Sequence, residues 1–274
     1  MGYRGHRNPL YVLVVLFVCI LLGTGCSTFD RKQGQLSQVS VLNALLLGEY
    51  DGFVSVKTLK SFGTIGIGTF DTLDGEMIML DGKVYQAKAD GTVLPVKDAM
   101  LVPFAMVTGS SSNVAAVSLS SVSGIEALKS RLDEIISQTT NDFNRFYVVK
   151  LEGSFHQVRV RSVPSQKKPY QHLATIAATQ KEYAYEDIEG TIVAFRCPEY
   201  VNGINMPSWH LHFLSADTSK GGHLLQTDID RAELEMGDMT DYHVLLPSSE
   251  SFASMNIVHD LSEETLAVEG VTKQ

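Results

Sequence analysis

The chain reads as an α+β protein with two sheet-rich halves, built from mixed or antiparallel strands and a few packed helices. Three observations predict this. Two Asp-Gly pairs, Asp81-Gly82 and Asp90-Gly91, separate runs of alternating apolar residues; such a pair between such runs is the strongest short hairpin signal, because the turn needs residues that tolerate positive φ. One long segment, 124–139, carries the period of an amphipathic helix. Further on, Trp209-His210-Leu211-His212-Phe213 alternates apolar and imidazole side chains, as a strand with two different faces does.

At the N-terminus, Arg4, His6 and Arg7 precede an apolar run from Leu10 to Leu22, followed by Gly23-Thr24-Gly25-Cys26. Residues 1–25 have the layout of an export signal, and the run is short for a membrane span. Cys26 after the small Gly25 resembles the lipidation site of a bacterial lipoprotein, although Gly23 occupies the place usually held by Leu. The expected location is therefore outside the cytoplasm: tethered to a membrane through Cys26, or else secreted or periplasmic. Residues 26–39 are polar and read as a tether. The body is expected to comprise a half at 40–165 and a metal-binding half at 166–274.

Within the body, Val41–Leu47 is the expected start. A β-meander follows, with strands at 76–80, 83–89 and 92–96. The Asp-rich stretch 71–75 lacks the ligand spacing of an EF-hand, so calcium is excluded. In the helix at 124–139, Ile125, Leu128, Leu132, Ile135 and Ile136 form one apolar stripe, which marks it as core. Strands are expected at 146–151 and 155–163 on either side of Gly153, then a helix at 172–182 and strands at 190–196, 209–214 and 223–235.

The formal charge is -9 and no basic cluster is present, which excludes nucleic acid as a partner. Of the 3 cysteines, Cys19 lies in the apolar run and Cys26 at its end, leaving Cys197 alone in the body, so no disulfide framework exists there. Cys197 reads as a packed thiol.

On a strand, His210 and His212 point to one side while Trp209, Leu211 and Phe213 point to the other. The turn formers in 215–222 bring His223 back on a neighbouring strand, able to face the same point. Three converging imidazoles form a transition-metal site, zinc foremost, with positions open for substrate or water. The pattern alone also admits a cupin-like iron oxygenase. Against it, Ser215 and Ala216 stand where the carboxylate ligand is expected. A third reading is a surface lipoprotein that captures zinc, though such binders carry His-rich or acidic loops that this chain lacks.

From about Leu42 to Glu269 the chain resembles the acetolactate decarboxylase family. The blocks that carry the resemblance are Gly66-Ile67-Gly68-Thr69-Phe70 with Leu73-Asp74-Gly75-Glu76; Val102-Pro103-Phe104-Ala105; Val158-Arg159-Val160-Arg161-Ser162-Val163 with Lys168-Pro169-Tyr170; Gly190-Thr191-Ile192-Val193; and His210-Leu211-His212-Phe213 with Gly221-Gly222-His223. The resemblance implies that His210, His212 and His223 bind one zinc ion (Zn2+), that Arg161, Glu76 and Glu269 are active-site residues, and that Thr69 lines the substrate. It further implies a carboxy-lyase that converts 2-acetolactate to acetoin and carbon dioxide, in which zinc acts as a Lewis acid on the enediolate and protonation from one face fixes handedness. The implied partner is a small 2-hydroxy-3-keto acid; a membrane enters only through the N-terminal anchor, and a homodimer is admitted.

Overall fold

The computed structural model describes residues 1–2, 34–109, 112–258 and 260–268. The chain divides into two units, Met1–Asp30 and Arg31–Gln274. The first lies almost wholly outside the described residues, and the expectations for the apolar run and for Cys26 fall there, as does the one for Glu269 at the other end. No helix among the described residues is long and apolar enough to cross a membrane.

In chain order the second unit runs β1 (Gln35–Val39), α1 (Leu42–Leu46), β2 (Val54–Ser55), α2 (Val56–Phe62), β3 (Ile65–Thr69), β4 (Glu76–Leu80), β5 (Lys83–Ala87), β6 (Val93–Pro95), β7 (Leu101–Val102), β8 (Phe104–Thr108), β9 (Ser112–Ser123), α3 (Ile125–Thr139), β10 (Phe146–Ser162), α4 (Leu173–Ala177), β11 (Lys181–Cys197), β12 (Ser208–Ser215), β13 (Gly221–Met239), β14 (Asp241–Leu245), α5 (Glu250–Ser254) and α6 (Ser262–Val268). Seven strands form a mixed sheet in the order β14-β1-β8-β3-β4-β5-β6, its one parallel pair being β1–β14. The second sheet runs β9-β13-β10-β11-β12 and curls until β12 pairs with the first residues of β13. The fold is thus α+β and sheet-rich, as the alternation in the sequence predicts.

Alternation decides what each face buries. The concave side of the curled sheet holds Trp209, Leu211 and Phe213 against Leu128, Leu132, Ile135 and Ile136 of α3. A second apolar layer, including Ile67, Ile78, Val193, Phe195 and Leu214, joins the two sheets. A third covers the far face of the seven-stranded sheet, where Met77 and Met79 pack with Val56 and Leu59 of α2. At roughly 1.5–3 kcal/mol per fully buried large apolar side chain, these layers fix which sheet faces meet. The imidazoles and their neighbours come from the faces that oppose each other.

Four expectations change. Gln35–Val39, read as the end of a tether, is a buried strand inside the seven-stranded sheet, with Leu36 and Gln38 both at 0% exposure. Its polar look misleads because Gln38 Nε2 donates to the carbonyls of Ser40 and Ile204, each at 2.8 Å. The two strands expected around Gly153 are one, β10: a Cβ there would lie 2.1 Å from the Arg231 carbonyl oxygen, so glycine marks a close approach of β13 and not a turn. The helix expected at 172–182 is only α4, and Lys181 already opens β11, where Tyr183 and Tyr185 alternate across from Val160 and Val158. Finally, β10 pairs with β11 and β13 across the expected boundary between 165 and 166, while β14 returns to the first sheet, so the strands group by sheet and not by halves of the chain.

Candidate active site

His210 and His212 sit on β12, two residues apart and on the same face, and His212 is paired directly with His223 on β13. The expected return of His223 across a turn is what the chain does. The turn holds itself: Ser215 Oγ accepts from the Lys220 amide at 2.9 Å, and Asp217 accepts from the Ser219 amide at 3.0 Å and the Ser215 hydroxyl at 2.6 Å. Gly222 has φ of 150°, and a Cβ on it would lie 2.6 Å from the Arg161 carbonyl oxygen. Gly222→Ala should therefore cost about 1–3 kcal/mol of stability and weaken metal binding by displacing His223. Thermal unfolding with and without zinc checks this.

His210 Nε2 lies 3.1 Å from His223 Nδ1 and 3.2 Å from His212 Nε2, and the three ligand atoms all lie within 4.8 Å of one another. Nitrogens about 2.0–2.1 Å from a tetrahedral ion stand roughly 3.3 Å apart, so the set fits such an ion. His212 Nδ1 is 2.9 Å from the Met77 carbonyl oxygen. A carbonyl only accepts, so Nδ1 carries the proton and Nε2 presents its lone pair to the centre. Burial first, then the neighbouring His223 for His212 and the charge of Arg161 for His223, holds both well below the ordinary histidine range. Both rings are thus neutral, the form that binds metal.

The same shift sets a pH dependence. Folded His212 and His223 do not take up protons near the ordinary value of 6.5, whereas the unfolded chain does. Protons therefore favour unfolding as pH falls through that value. The metal-free protein should lose thermal stability from about pH 7 to about pH 5, and a midpoint that stays level over that range contradicts the assignment.

Glu76 opens β4 and Thr69 closes β3, directly opposite each other in register. Glu76 Oε1 accepts from Arg161 Nη1 at 3.3 Å, and Oε2 lies 3.6 Å from His212 Nε2. Arg161 itself lies across from His223 in the β10–β13 ladder. It is 4% exposed, and its Nε has no hydrogen-bond partner among the described residues, a buried donor suited to an anion. Arg159, two residues earlier, is exposed and pairs with Glu182 at 3.1 Å. Thr69 Oγ1 donates to the Gly75 carbonyl at 2.7 Å, which leaves the hydroxyl only its acceptor capacity. The structure thus brings together six of the seven residues expected at the site, namely His210, His212, His223, Arg161, Glu76 and Thr69. What residue types do not reveal is the Met77 carbonyl, since every residue offers one.

Three converging imidazoles, two of them buried and neutral, beside a paired arginine and glutamate define the class first: an enzyme centred on a histidine set that can hold a metal ion. A family model described as alpha-acetolactate decarboxylase matches residues 36–259, a span that includes every described site residue. Alpha-acetolactate decarboxylase of Methanosarcina mazei is 40% identical over 234 residues, covering 85% of this chain and 80% of the relative. That of Brevibacillus brevis is 34% identical over 238 residues, covering 87% and 82%. The crystal structure of alpha-acetolactate decarboxylase from Bacillus subtilis strain 168 superposes with a TM-score of 0.81 at 30% identity, covering 86% of this chain and 99% of that one. The chain belongs to the alpha-acetolactate decarboxylase family.

Proposed function

We propose that this chain decarboxylates 2-acetolactate to acetoin and carbon dioxide, with zinc held by His210, His212 and His223. The observation that carries the reading is the trio of imidazoles with ligand atoms within 4.8 Å, inside the span that matches the family. When bound, zinc supplies Lewis acidity, drawing the electron pair released with carbon dioxide towards the neighbouring ketone oxygen. The chain's own groups do the rest. Arg161 brings a fixed cation with an unspent Nε donor and orients the anionic substrate. Arginine does not give up its proton in a protein, so Arg161 positions and does not protonate. Glu76, held between Arg161 and His212, is the described carboxyl placed to move a proton to the carbon that loses carbon dioxide. Delivery from one fixed side yields one enantiomer of acetoin. Glu269 joins this proposal from the family resemblance, and Glu269→Gln should lower kcat without removing metal.

The test is to supply 2-acetolactate to the purified body and follow both products. Carbon dioxide and a single enantiomer of acetoin should form one for one. Racemic acetoin, or release no faster than in buffer, contradicts the reading.

We further infer that the body is exported and tethered by lipid on Cys26, which the basic start, the apolar run and Gly25-Cys26 support. Cell fractionation and intact mass should show a lipidated, membrane-bound native chain and an unlipidated Cys26→Ser variant. Equal distribution of the two, with neither lipidated, overturns the tether.

A further inference from the structure

Glu76 meets Arg161 across the seam between the two sheets, so its carboxylate is only as well placed as the short segment that leads into it. That segment is tightly held. Thr72 and Leu73 both have φ of 60°, a left-handed conformation that costs a non-glycine residue energy and persists only where the surroundings enforce it. Gly75 follows with φ of 81°, and a Cβ on it would lie 2.4 Å from the Ala87 carbonyl oxygen. The Gly75 amide donates to the carbonyls of Leu73 at 2.9 Å and Val163 at 3.2 Å.

What holds the segment against β5 is Asp74. Gln86 Nε2 donates to the Asp74 carbonyl at 2.6 Å and to its Oδ2 at 3.0 Å, and Lys88 Nζ reaches the same Oδ2 at 2.8 Å. Gln86 is buried at 5% exposure. Gln86 and Lys88 flank Ala87, and Ala87 is the residue paired with Glu76 across the β4–β5 ladder. Because neighbours on a strand point to opposite faces, the clamp grips the sheet from the side away from the histidines. The Ala87 carbonyl also accepts from Ser162 Oγ at 2.8 Å, the residue after Arg161. One point on β5 thereby registers both partners of the Arg161–Glu76 pair.

We propose that Asp74 is a positioning residue: clamped by Lys88 and Gln86, it sets where the Glu76 carboxylate stands relative to Arg161 and His212. Its side-chain hydrogen bonds among the described residues are with Gln86 and Lys88 and not with the groups around the metal site, so it acts through the backbone of Gly75 and Glu76. This assignment rests on the proposed decarboxylation only for its kinetic readout.

The experiment is a double-mutant cycle of Asp74→Ala and Glu76→Gln on the zinc-loaded protein, with bound zinc and thermal midpoint measured for each variant and a crystal structure of Asp74→Ala. Asp74→Ala should lower kcat on the order of 10- to 100-fold, with little change in KM and zinc content as in the native protein. Asp74→Asn, which keeps the shape and the acceptor, should recover most of that loss. In the Glu76→Gln background Asp74→Ala should cost nothing more, because the group it positions is gone. In the crystal, the Glu76 carboxylate of Asp74→Ala should have left Arg161. Fully additive kcat losses overturn the proposal, as does a Glu76 that keeps both contacts in the variant crystal. If the native protein releases no acetoin, the proposed activity fails by itself, and the crystal still decides the role of Asp74.

Discussion

Arg161→Lys should lower kcat by about a hundredfold or more while zinc content stays at the native value. The change keeps a positive charge but removes the planar fork, and with it the buried Nε donor and the Nη1 that reaches Glu76 at 3.3 Å. Losing one preorganised donor at a reacting centre costs on the order of 10²–10³ in kcat. The neighbouring Arg159→Lys should turn over like the native enzyme, because Arg159 is 48% exposed in its side chain and pairs with the surface residue Glu182; an exposed pair of this kind contributes about 0–1 kcal/mol. Steady-state kinetics of both variants, with bound metal quantified, decide the matter. A more damaging Arg159→Lys would mean that the reactive position along β10 has been misassigned by one pleat.

His210→Ala should remove both metal and turnover, with activity falling about a thousandfold or more if the ion supplies several kcal/mol at the transition state. Among the three histidines it is the most informative to remove. His212 and His223 are buried at 0% and 2% exposure, whereas His210 is only half-buried, so its truncation leaves the smallest cavity and the fold should survive. Equilibrium dialysis with zinc, read beside kcat, checks this. A folded His210→Ala that keeps both zinc and turnover would place the centre elsewhere.

The histidine set was legible because it depends only on strand periodicity and a turn: alternation puts His210 and His212 on one face, and the residues of 215–220 supply the reversal that pairs His212 with His223. The α3 stripe was legible for the same local reason. Glu76 and Arg161 carry no such signal. Each is an ordinary polar residue on its own strand, and their meeting depends on how two sheets face each other, which no short-range pattern encodes; only resemblance to a family pointed to them. The departures from local expectation are also non-local. Gly153 looks like a break because glycine weakens a lone strand, yet here it admits β13. Gln35–Val39 looks like a tether because polar side chains suggest solvent, whereas Gln38 is satisfied by the distant Ile204 carbonyl.

Turnover should depend on an ion held by the three imidazoles. Strip the purified protein of metal, then titrate zinc back while recording bound zinc and acetoin formation from 2-acetolactate together. The stripped protein should show negligible activity, and activity should rise with added zinc until it saturates at one zinc per chain. Activity that survives complete metal removal, or that does not follow zinc occupancy, would contradict that dependence.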